Sequence, residues 1–445
     1  MMTFILAPTI RSVSGGRIPL LLLVAGLLVL PTFGLTAQAV RPTRTLGTME
    51  RQADSLLASV SVVQELSGGR VLVHDVRGRR VVFLDSSLKS VRVVADNTIA
   101  TGRAYASVTG GIIPTEGDSS LFVDPSTLSM FVIGADGAVG RVMALPPSAR
   151  GCFLGGTSGR PTLDASTHVV CRMPPERLRG KVMDPGLHLA VPEIADSSAL
   201  VRFDLSNRRV DTITFLQTGK RPLQYVPDKE CDWFVAPIIN PLPLVDDWAA
   251  MHDGTVAVIR GADYHIDWIS PAGERRQSPR IGLPSTRLSD SAKSAYLDST
   301  KAVLARLQKR KPGADAPAPV CDPSAMRSLS MSTQSDVTDD PTRMVSGSGR
   351  AIVPLLFVPA EQLPDYVPPF APGSALADRK GRLWIRRLET VNGGSVYDVV
   401  DRESGKAIRT VVPKGRVIAG FGQDGRVYTG VTEADGVRLE RYRVP

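Results

Sequence analysis

The amino-acid sequence predicts an all-β fold built from small sheets that repeat along the chain. Its 445 residues include 40 Gly and 34 Pro, dispersed without a short period. Short runs of β-branched residues recur between turns that contain Asp or Gly, a pattern typical of many short strands joined by tight turns. The hydrophobic fraction of 43% and the charged fraction of 22% are close to the globular average, which disfavours wholesale disorder.

One turn-and-strand phrase returns six times, and its spacing predicts the architecture. Asp75 and Asp124 are 49 residues apart, and Asp378 and Asp424 are 46 residues apart. Repeats of about 40–50 residues with several strands each are typical of propeller blades, and each blade needs neighbours to cover its faces. We therefore predict a six-bladed β-propeller with four-stranded blades. The alternative is a β-sandwich with coincidental hairpins, which has no reason to renew one phrase at a fixed interval.

The domain boundaries follow from the same phrases. We predict a signal peptide over 1–39, an N-terminal linker over 40–58 and the propeller over 59–445, with insertions at 174–198 and 285–345. The second insertion, between blades four and five, contains apolar residues at helical spacing, which predicts a helix over Leu288–Lys311 with Ser289 as its N-cap. The last phrase has no fourth strand after Val444, and we expect Ser59–Leu66 to supply it.

The N-terminal segment has the features of a secretory signal. Arg11 and Arg17 precede the apolar run Ile18–Leu30, and Ala37 and Ala39 provide the small residues that signal peptidase accepts. We expect cleavage after Ala39, export to the periplasm or the medium, and no membrane span in the remaining chain. An uncleaved N-terminal anchor is the alternative, although 13 residues are few for a spanning helix.

The four cysteines fit an oxidising compartment. None of them forms a C-x-x-C pair, so their spacing does not support a structural zinc site. We expect two disulfides, Cys152–Cys171 on neighbouring strands of one hairpin and Cys231–Cys321 across the longer insertion. Four free buried thiols are the alternative.

The charge distribution disfavours nucleic acid as a partner. The formal net charge is +9, but the basic runs are short and aromatic residues make up only 5% of the chain. Nucleic-acid binders concentrate basic charge on one face and add aromatic residues that stack on bases. We expect no nucleic-acid partner and a monomeric protein.

Near the C-terminus the sequence resembles a known group. The segment Leu376–Arg386 resembles the inner-strand phrase of exported bacterial six-bladed β-propellers of the NHL/TolB-like group, and Val396–Asp401 and Gly420–Tyr428 fit the same pattern. The resemblance implies the propeller fold. It does not imply a chemistry, because the group contains ligand-binding, protein-binding and enzymatic members.

Motifs that would carry chemistry are weak. Gly420–Gly425 matches G-x-G-x-x-G, but a strand pattern follows it where a dinucleotide site needs a helix. Propeller lyases and lactonases hold an axial metal, and His74, His168 and His252 could converge on such a site, although no His motif supports this. The sequence contains five histidines, the other two being His188 and His265. We expect all five to be structural or exposed. The acidic pairs Asp246-Asp247 and Asp339-Asp340 could bind calcium but favour turns.

The recurring aspartates favour a structural role as well. We expect each of them to accept hydrogen bonds from the backbone amides of its own turn. They are Asp75, Asp124, Asp253, Asp378 and Asp424. We therefore expect an exported, non-enzymatic binding or scaffold propeller with no catalytic residues, cofactor or metal, whose face or axial funnel binds a protein, peptide or glycan. The alternative is a metal-dependent propeller lyase or lactonase with an axial calcium or zinc ion.

Overall fold

Most of the described chain is β-strand. The structure is a computed structural model that describes residues 43–96, 111–115, 118–124, 127–152, 161–164, 168–178, 182–184, 189–190, 193–228, 232–282, 286–308 and 355–444. Within these ranges the strands form seven sheets of three or more strands and two two-stranded sheets. In the same ranges, no helix is both long enough and apolar enough to span a bilayer.

Two short strands precede the first two sheets. They are β1 (Thr43–Thr45) and β2 (Met49–Gln52). The first sheet contains β3 (Val62–Glu65), β4 (Val71–Asp75), β5 (Arg80–Leu84) and β6 (Val91–Asp96). The second sheet contains β7 (Gly111–Pro114), β8 (Ser120–Asp124), β9 (Ser129–Ile133) and β10 (Val139–Ala144). In both sheets, strands adjacent in the chain are antiparallel neighbours, so the chain crosses each sheet from one edge to the other.

The third sheet is interrupted by an insertion. Its first two strands are β11 (Thr162–Leu163) and β12 (His168–Arg172). Two small antiparallel pairs follow, formed by β13 (Arg177–Leu178), β14 (Val182–Asp184), β15 (Leu189–Ala190) and β16 (Glu193–Ile194). The sheet then resumes with β17 (Ser197–Asp204) and β18 (Val210–Gln217). Both small pairs lie within 174–198, the segment that the sequence marks as an insertion.

A three-stranded side sheet and the fourth sheet follow. The side sheet begins with β19 (Leu223–Asp228) and β20 (Asp232–Ile239). The fourth sheet contains β21 (Asp247–Ala250), β22 (Val256–Arg260), β23 (His265–Ile269) and β24 (Arg275–Gln277). Helix α1 (Asp290–Gln308) then leads to β25 (Leu356–Phe357), which pairs in parallel with β20 and completes the side sheet.

The last two sheets incorporate the N-terminal strands. The fifth sheet contains β26 (Phe370–Ala377), β27 (Arg382–Val391), β28 (Gly394–Asp401) and β29 (Ala407–Val412), and β1 adds to it in parallel beside β29. The sixth sheet contains β30 (Arg416–Phe421), β31 (Arg426–Glu433) and β32 (Gly436–Arg443). Strand β2 is its fourth strand and pairs antiparallel with β32.

The closing strand differs from the predicted one. The sequence predicts that Ser59–Leu66 joins the sixth sheet, but Val62–Glu65 is the first strand of the first sheet, and Met49–Gln52 fills the edge of the sixth sheet instead. The predicted linker over 40–58 thus contains two paired strands. Their short, charged sequences lack the apolar alternation that identifies a strand, because both lie at outer sheet edges.

The number of sheets also differs from the prediction of six. The additional sheet is the side sheet, which occupies the connection between the third and fourth sheets. Its strands do not carry the repeated turn phrase, and its third strand arrives from a distant part of the chain. The predicted pattern of several four-stranded antiparallel sheets with one α-helix is otherwise found within the described ranges.

Helix α1 begins where the sequence predicts. The Ser289 hydroxyl accepts a hydrogen bond from the Ala292 amide at 3.2 Å, which caps the first turn. Leu297 of the helix packs with Leu242 and Val358 beside the side sheet. Lys293 forms an ion pair with Asp365, with 2.7 Å between Nζ and Oδ1.

Six apolar clusters connect the four- and five-stranded sheets in sequence order. Each cluster joins one sheet to the next, and the last cluster joins the sixth sheet to the first. Representative pairs, in that order, are Leu72 with Phe122, Val123 with Phe203, Leu200 with Trp248, Trp268 with Leu383, Trp384 with Val427, and Tyr428 with Val82. Side chains alternate across a strand, so neighbours such as Leu383 and Trp384 pack against different sheets. Each of these strands is therefore buried on both faces.

The first strands of the first and sixth sheets, β3 and β30, approach closely. A Cβ atom on Gly420 of β30 would lie 2.2 Å from the Val63 carbonyl oxygen of β3. Because only glycine lacks that atom, Gly420 permits the contact. The buried Glu65 at the end of β3 reaches across to the sixth sheet, where it accepts hydrogen bonds from Arg426 Nη1 at 3.0 Å and Tyr428 OH at 2.7 Å.

The five recurring aspartates occupy two different positions. Asp75 and Asp124 end the second strands of their sheets, whereas Asp253, Asp378 and Asp424 lie between first and second strands. The Asp75 carboxylate accepts from the amides of Gly78 at 2.9 Å and Ser59 at 2.8 Å, so it bonds its own turn and the strand connection beside it.

Two of the other recurring aspartates bond to amides within their own turns. Asp253 accepts from the Thr255 amide at 3.0 Å, and Asp378 from the Lys380 and Arg382 amides at 2.9 Å.

A more regular recurrence lies in the turns between third and fourth strands. In four sheets an aspartate there accepts a hydrogen bond from a backbone amide two or three residues further on. The pairs are Asp85 with Ser87, Asp136 with Ala138, Asp204 with Ser206, and Asp401 with Ser404. The Asp-x-Ser and Asp-x-x-Ser spacings in three of these turns are the signal that the sequence analysis missed.

The structure contains the predicted Cys152–Cys171 disulfide. Cys171 lies in β12, but Cys152 ends a 3₁₀ helix over Pro147–Cys152, so the two residues are not on one hairpin. Both residues are buried in the cluster between the second and third sheets. The predicted Cys231–Cys321 pair and the signal peptide with Ala37 and Ala39 lie outside the described residues.

Candidate functional site

A cleft of about 750 Å³ opens between the third and fourth sheets. Gln217 of β18 forms one side, and the ends and turns of the fourth-sheet strands form the other. Most of its lining residues are polar, among them Asp246, Arg260, Asp263 and His265. Concave sites with several convergent polar groups are where ligands usually bind.

Arg260, at the end of β22, connects two carboxylates in the cleft. Its Nη1 lies 2.7 Å from Asp246 Oδ2, and its Nε lies 2.9 Å from Asp267 Oδ2. Burial alone would lower the pKa of Arg260, but the hydrogen bonds to Asp267 and Asp246 more than offset it and raise the pKa above its ordinary value. The guanidinium group is therefore fixed in place as a charged donor.

His265 extends this chain of charges along β23. Its Nδ1 lies 2.5 Å from Asp263 Oδ1, and its Nε2 lies 3.5 Å from Asp267 Oδ1. Asp267 is thus shared by His265 and Arg260. The resulting order is Asp246, Arg260, Asp267, His265, Asp263, in which carboxylates alternate with nitrogen donors.

The backbone around Asp246 is built for close contact. The Gly261 amide donates to Asp246 Oδ1 at 3.1 Å, and the Gln217 amide donates to Oδ2 at 3.0 Å. A Cβ atom on Gly261 would lie 2.1 Å from the Val245 carbonyl oxygen, so a larger residue would push this turn away from Asp246. Asp246 therefore anchors the third sheet to the fourth at the cleft.

The rim of the cleft adds donors and an aromatic side chain. Arg275 and Gln277 of β24 line the cleft, and Arg275 Nη2 donates to Thr214 Oγ1 at 3.1 Å. Phe215 lies two residues before Gln217 on β18, on the same strand face, and its side chain is 61% exposed. An exposed aromatic ring beside a polar cleft provides an apolar surface for a ligand.

A second group of polar side chains surrounds Asp247, the residue that follows Asp246. Asp247 is fully buried, and its Oδ2 accepts a hydrogen bond from the Ala375 amide at 2.9 Å. Burial raises the pKa of Asp247 to about 6, although backbone amides and nearby Arg172 act in the opposite direction. This carboxyl therefore keeps its proton to a higher pH than an exposed aspartate does.

Arg172 interacts electrostatically with Asp247, and Arg221 with Arg172. Arg172 ends β12 and is 4% exposed, and Arg221 follows β18. Burial, then repulsion by Arg221, lowers the pKa of Arg172 to about 10, and Asp247 opposes that shift. Burial also lowers the pKa of Arg221.

The carboxylates of the acidic pair Asp246-Asp247 therefore lie in two different environments. The other pair, Asp339-Asp340, lies outside the described residues.

The histidines considered as axial metal ligands belong to three different sheets. His74 is buried in β4, 5.6 Å from the Phe122 ring, and burial lowers its pKa to about 4. His168 contacts Asp164 and Asp204, at 3.3 Å and 3.6 Å.

His252 lies in the turn between β21 and β22, and His188 is not among the described residues. Within the described ranges, no three His, Cys, Asp or Glu side chains form a group that could hold a metal ion.

The cleft was not predicted from the sequence, although the sequence of β23 contains a signal for it. Asp263, His265 and Asp267 alternate with Tyr264, Ile266 and Trp268, and these three apolar side chains pack in the cluster towards the fifth sheet. Period-two alternation predicts a strand with one polar face. That polar face, carrying three ionisable groups, is the wall of the cleft.

Comparisons with known proteins find distant structural likenesses only. No family model matches the sequence, and no curated protein matches it. A gluconolactonase from Xanthomonas campestris is 12% identical, with a TM-score of 0.37 over 91% of this chain and 99% of that one. A calcium-binding regucalcin from Agrobacterium tumefaciens is 9% identical, with a TM-score of 0.37 over 91% and 97%.

A third similar structure is a DUF4221 family member from Bacteroides vulgatus. It is 10% identical, with a TM-score of 0.43 over 90% of this chain and 97% of that one. Likenesses at these scores assign neither a family nor an activity to this chain.

Proposed function

We propose that the chain is an exported six-bladed β-propeller that binds a neutral, hydroxyl-rich ligand, such as a glycan, in the cleft between its third and fourth sheets. The cyclic order of the six apolar clusters supports the architecture, because only a closed ring gives the first and last sheets a shared core. On this interpretation the side sheet is an insertion between blades three and four.

Export is supported by the disulfide. Disulfides persist in oxidising compartments and are rare in reducing ones, and Cys152–Cys171 is buried where the second and third sheets meet. The signal peptide over 1–39 is consistent with this compartment and remains a prediction.

We infer the class of ligand from the row of alternating acidic and basic side chains that runs from Asp246 to Asp263. Three carboxylates alternate with Arg260 and His265, and Arg275 and Arg280 lie close by, so opposite charges largely balance. A ligand with a strong charge of either sign would meet repulsion at every second group. Hydroxyl groups donate and accept at once, which suits a wall that offers both.

The exposed Phe215 ring at the rim supports the same ligand class. Sugar rings present C–H groups on one face and hydroxyls at their edges. An aromatic surface beside polar donors and acceptors accommodates both parts of such a ligand.

The test is binding of a glycan library to protein purified as residues 40–445. We expect at least one glycan to bind. Arg275→Ala should weaken that binding at least tenfold, because it removes a donor from the lining of the cleft. Arg275 is exposed, so its replacement should leave the fold intact. Arg209→Ala, an exposed arginine paired with Asp211 away from the cleft lining, is the matched control and should leave binding unchanged. No binding to any glycan, or equal binding by the Arg275 and Arg209 variants, would overturn the proposal.

A second candidate is an enzyme of the lactonase or lyase type acting in the same cleft. The observation in its favour is His265 held between Asp263 and Asp267, since a carboxylate-bound imidazole can act as a general base. A gluconolactonase is among the similar structures, but a TM-score of 0.37 gives no support for a shared activity. The metal-dependent form fits less well, because the described part of the chain brings no three ligating side chains together.

Proton release from δ-gluconolactone separates the two candidates. Turnover that is lost in His265→Gln and retained in Arg209→Ala would establish the enzyme. Binding of the intact sugar without turnover would establish the binding protein.

A further inference from the structure

His265 lies between two carboxylates in the wall of the cleft. Its Nδ1 lies 2.5 Å from Asp263 Oδ1, and its Nε2 lies 3.5 Å from Asp267 Oδ1. An ionised carboxylate only accepts hydrogen bonds, so a ring nitrogen bonds to it only when that nitrogen carries a proton. The shorter contact therefore identifies Nδ1 as the nitrogen that carries the proton of the neutral ring.

With the ring neutral, His265 Nε2 and Asp267 Oδ1 are two acceptors that face each other. Neutral imidazole has one N–H group, which Nδ1 uses towards Asp263, so Nε2 presents a lone pair. The other oxygen of Asp267, Oδ2, accepts a hydrogen bond from Arg260 Nε at 2.9 Å. Two facing acceptors gain stability when a hydrogen from elsewhere is placed between them.

A solvent proton and a ligand hydroxyl are two sources of that hydrogen. A proton taken up at Nε2 converts His265 to an imidazolium ion, which donates towards Asp267 and forms an ion pair with it. A ligand hydroxyl donates to Nε2 or to Asp267 Oδ1 from the cleft, which both residues line. One lone pair cannot accept both hydrogens, so the proton and the ligand compete.

The cleft places charged groups from several elements around His265. They are Asp263 in the preceding turn, Asp267 on β23, Arg260 on β22, Arg275 on β24, Arg280 after β24, and Asp246 before β21. Arginine stays charged at all ordinary pH values, and aspartate is ordinarily ionised above pH 5. Histidine is the residue type in this set whose charge ordinarily changes between pH 5 and pH 8.

We propose that a hydroxyl of the bound glycan donates to the pair formed by His265 Nε2 and Asp267 Oδ1, in competition with a proton. The cleft then binds its ligand at neutral and alkaline pH and releases it in acid, where the imidazolium ion and Asp267 satisfy each other. This inference rests on the glycan-binding function proposed above. It adds the two atoms that recognise the ligand and the direction of the pH dependence.

Glycan affinity at two pH values tests the competition. For residues 40–445 and a glycan identified in the binding screen, calorimetry should give a Kd about tenfold higher at pH 5.5 than at pH 8.0, because the ligand must displace one proton in acid. His265→Gln has no ring to titrate, so its Kd should be the same at both pH values.

Two control variants should keep the tenfold ratio. His168 also lies between two carboxylates, 3.3 Å from Asp164 and 3.6 Å from Asp204, but it is on β12 and outside the cleft lining, so His168→Gln is the matched control. Asp247→Asn removes a second group that changes charge in this range, since burial raises the pKa of Asp247 to about 6.

A second measurement does not require the His265 variant to bind. The ¹⁵N chemical shifts of the His265 ring report its protonation, and saturating glycan at pH 6.5 should shift them towards the neutral form with the proton on Nδ1. Shifts that move towards the imidazolium form, or do not move, would contradict the competition.

The calorimetric outcomes distinguish this inference from the function on which it rests. Glycan binding with equal Kd at both pH values, tighter binding in acid, or a tenfold ratio retained in His265→Gln would overturn the inference and leave glycan binding standing. Binding of no glycan at either pH would overturn the glycan-binding function, and this inference with it.

Discussion

Asp246 and Asp247 are adjacent in the chain, yet their carboxylates bind to different parts of the fold. Asp246 contacts Arg260 in the fourth sheet at 2.7 Å, and Asp247 accepts a hydrogen bond from Ala375 in the fifth sheet at 2.9 Å. Alternation along an extended backbone directs the two side chains to opposite sides. One peptide unit thus separates a solvent-open polar cleft from a buried charged cluster.

Replacing Arg260 should destabilise the protein far more than replacing an exposed arginine. Arg260→Gln leaves the Asp246 and Asp267 carboxylates without their shared cation, and the Arg260 side chain is only 20% exposed. We expect a loss of about 3 kcal/mol in the free energy of unfolding, measured in urea. Arg209→Gln, at a side chain 72% exposed, should cost below about 0.5 kcal/mol. Equal losses in the two variants would show that the cleft network is not structural.

The free energy of unfolding should depend on pH in a way that reports the raised pKa of Asp247. Its folded pKa of about 6 lies above the ordinary value of 3.8, so between these pH values the folded state holds a proton that the unfolded state has lost. The stabilisation that results from this proton is fully present below pH 3.8 and is lost as the pH rises through 6. The free energy of unfolding changes by about 3 kcal/mol over this range. His74 acts with the opposite sign, because its folded pKa of about 4 lies below 6.5.

The variant Asp247→Asn isolates the first of these contributions. Relative to the unaltered protein, its free energy of unfolding should rise by up to about 3 kcal/mol between pH 4 and pH 6 and then stay constant. Urea unfolding at half-unit pH intervals measures the difference. A difference that does not change with pH would contradict the raised pKa of Asp247.

The disulfide should contribute measurably to stability. Cys152 and Cys171 are 19 residues apart, and closing a loop of this length stabilises a protein by about 3 kcal/mol in the chain-entropy model. We expect the double variant Cys152→Ala/Cys171→Ala to lose about that much in urea. If Cys152–Cys171 is the disulfide that matters, reductant should destabilise the unaltered protein and leave the double variant unchanged.

The N-terminal strands should be required for a stable sixth sheet. A protein beginning at Ala53 lacks β1 and β2, exposes the edge of β32 and removes Leu46 from the cluster with Trp384. We expect a loss of about 3 kcal/mol or more relative to a protein beginning at Arg41, together with self-association through the exposed edge. Urea unfolding and sedimentation measure the two effects. Equal stability of both proteins would show that these strands do not hold the sixth sheet.

The sequence predicted those features that depend on local patterning. The repeated turns, the buried alternating strands and helix α1 with its Ser289 cap all follow from short-range periodicity. Features that depend on long-range pairing were missed. Nothing local in Met49–Gln52 indicates that it pairs with β32, almost 400 residues away, and nothing local in β25 indicates that it joins the side sheet.

The candidate site also combines features that the sequence predicts with features that it does not. The polar face of β23 is visible in the sequence, because Asp263, His265 and Asp267 alternate with buried residues. Their partnership with Arg260 and Asp246 depends on how β22 and β23 pair and on the approach of the third sheet. Arg172 and Asp247 come from different sheets, so their proximity is a property of the assembled fold alone.

Hydrogen–deuterium exchange, measured with and without a glycan identified in the binding screen, tests the cleft most directly. The account predicts slower exchange on binding in the turn from Arg260 to His265, around Gln217 and in β24, with little change in the first and second sheets. Protection confined to the first or second sheet, with none in the turn from Arg260 to His265, would contradict it.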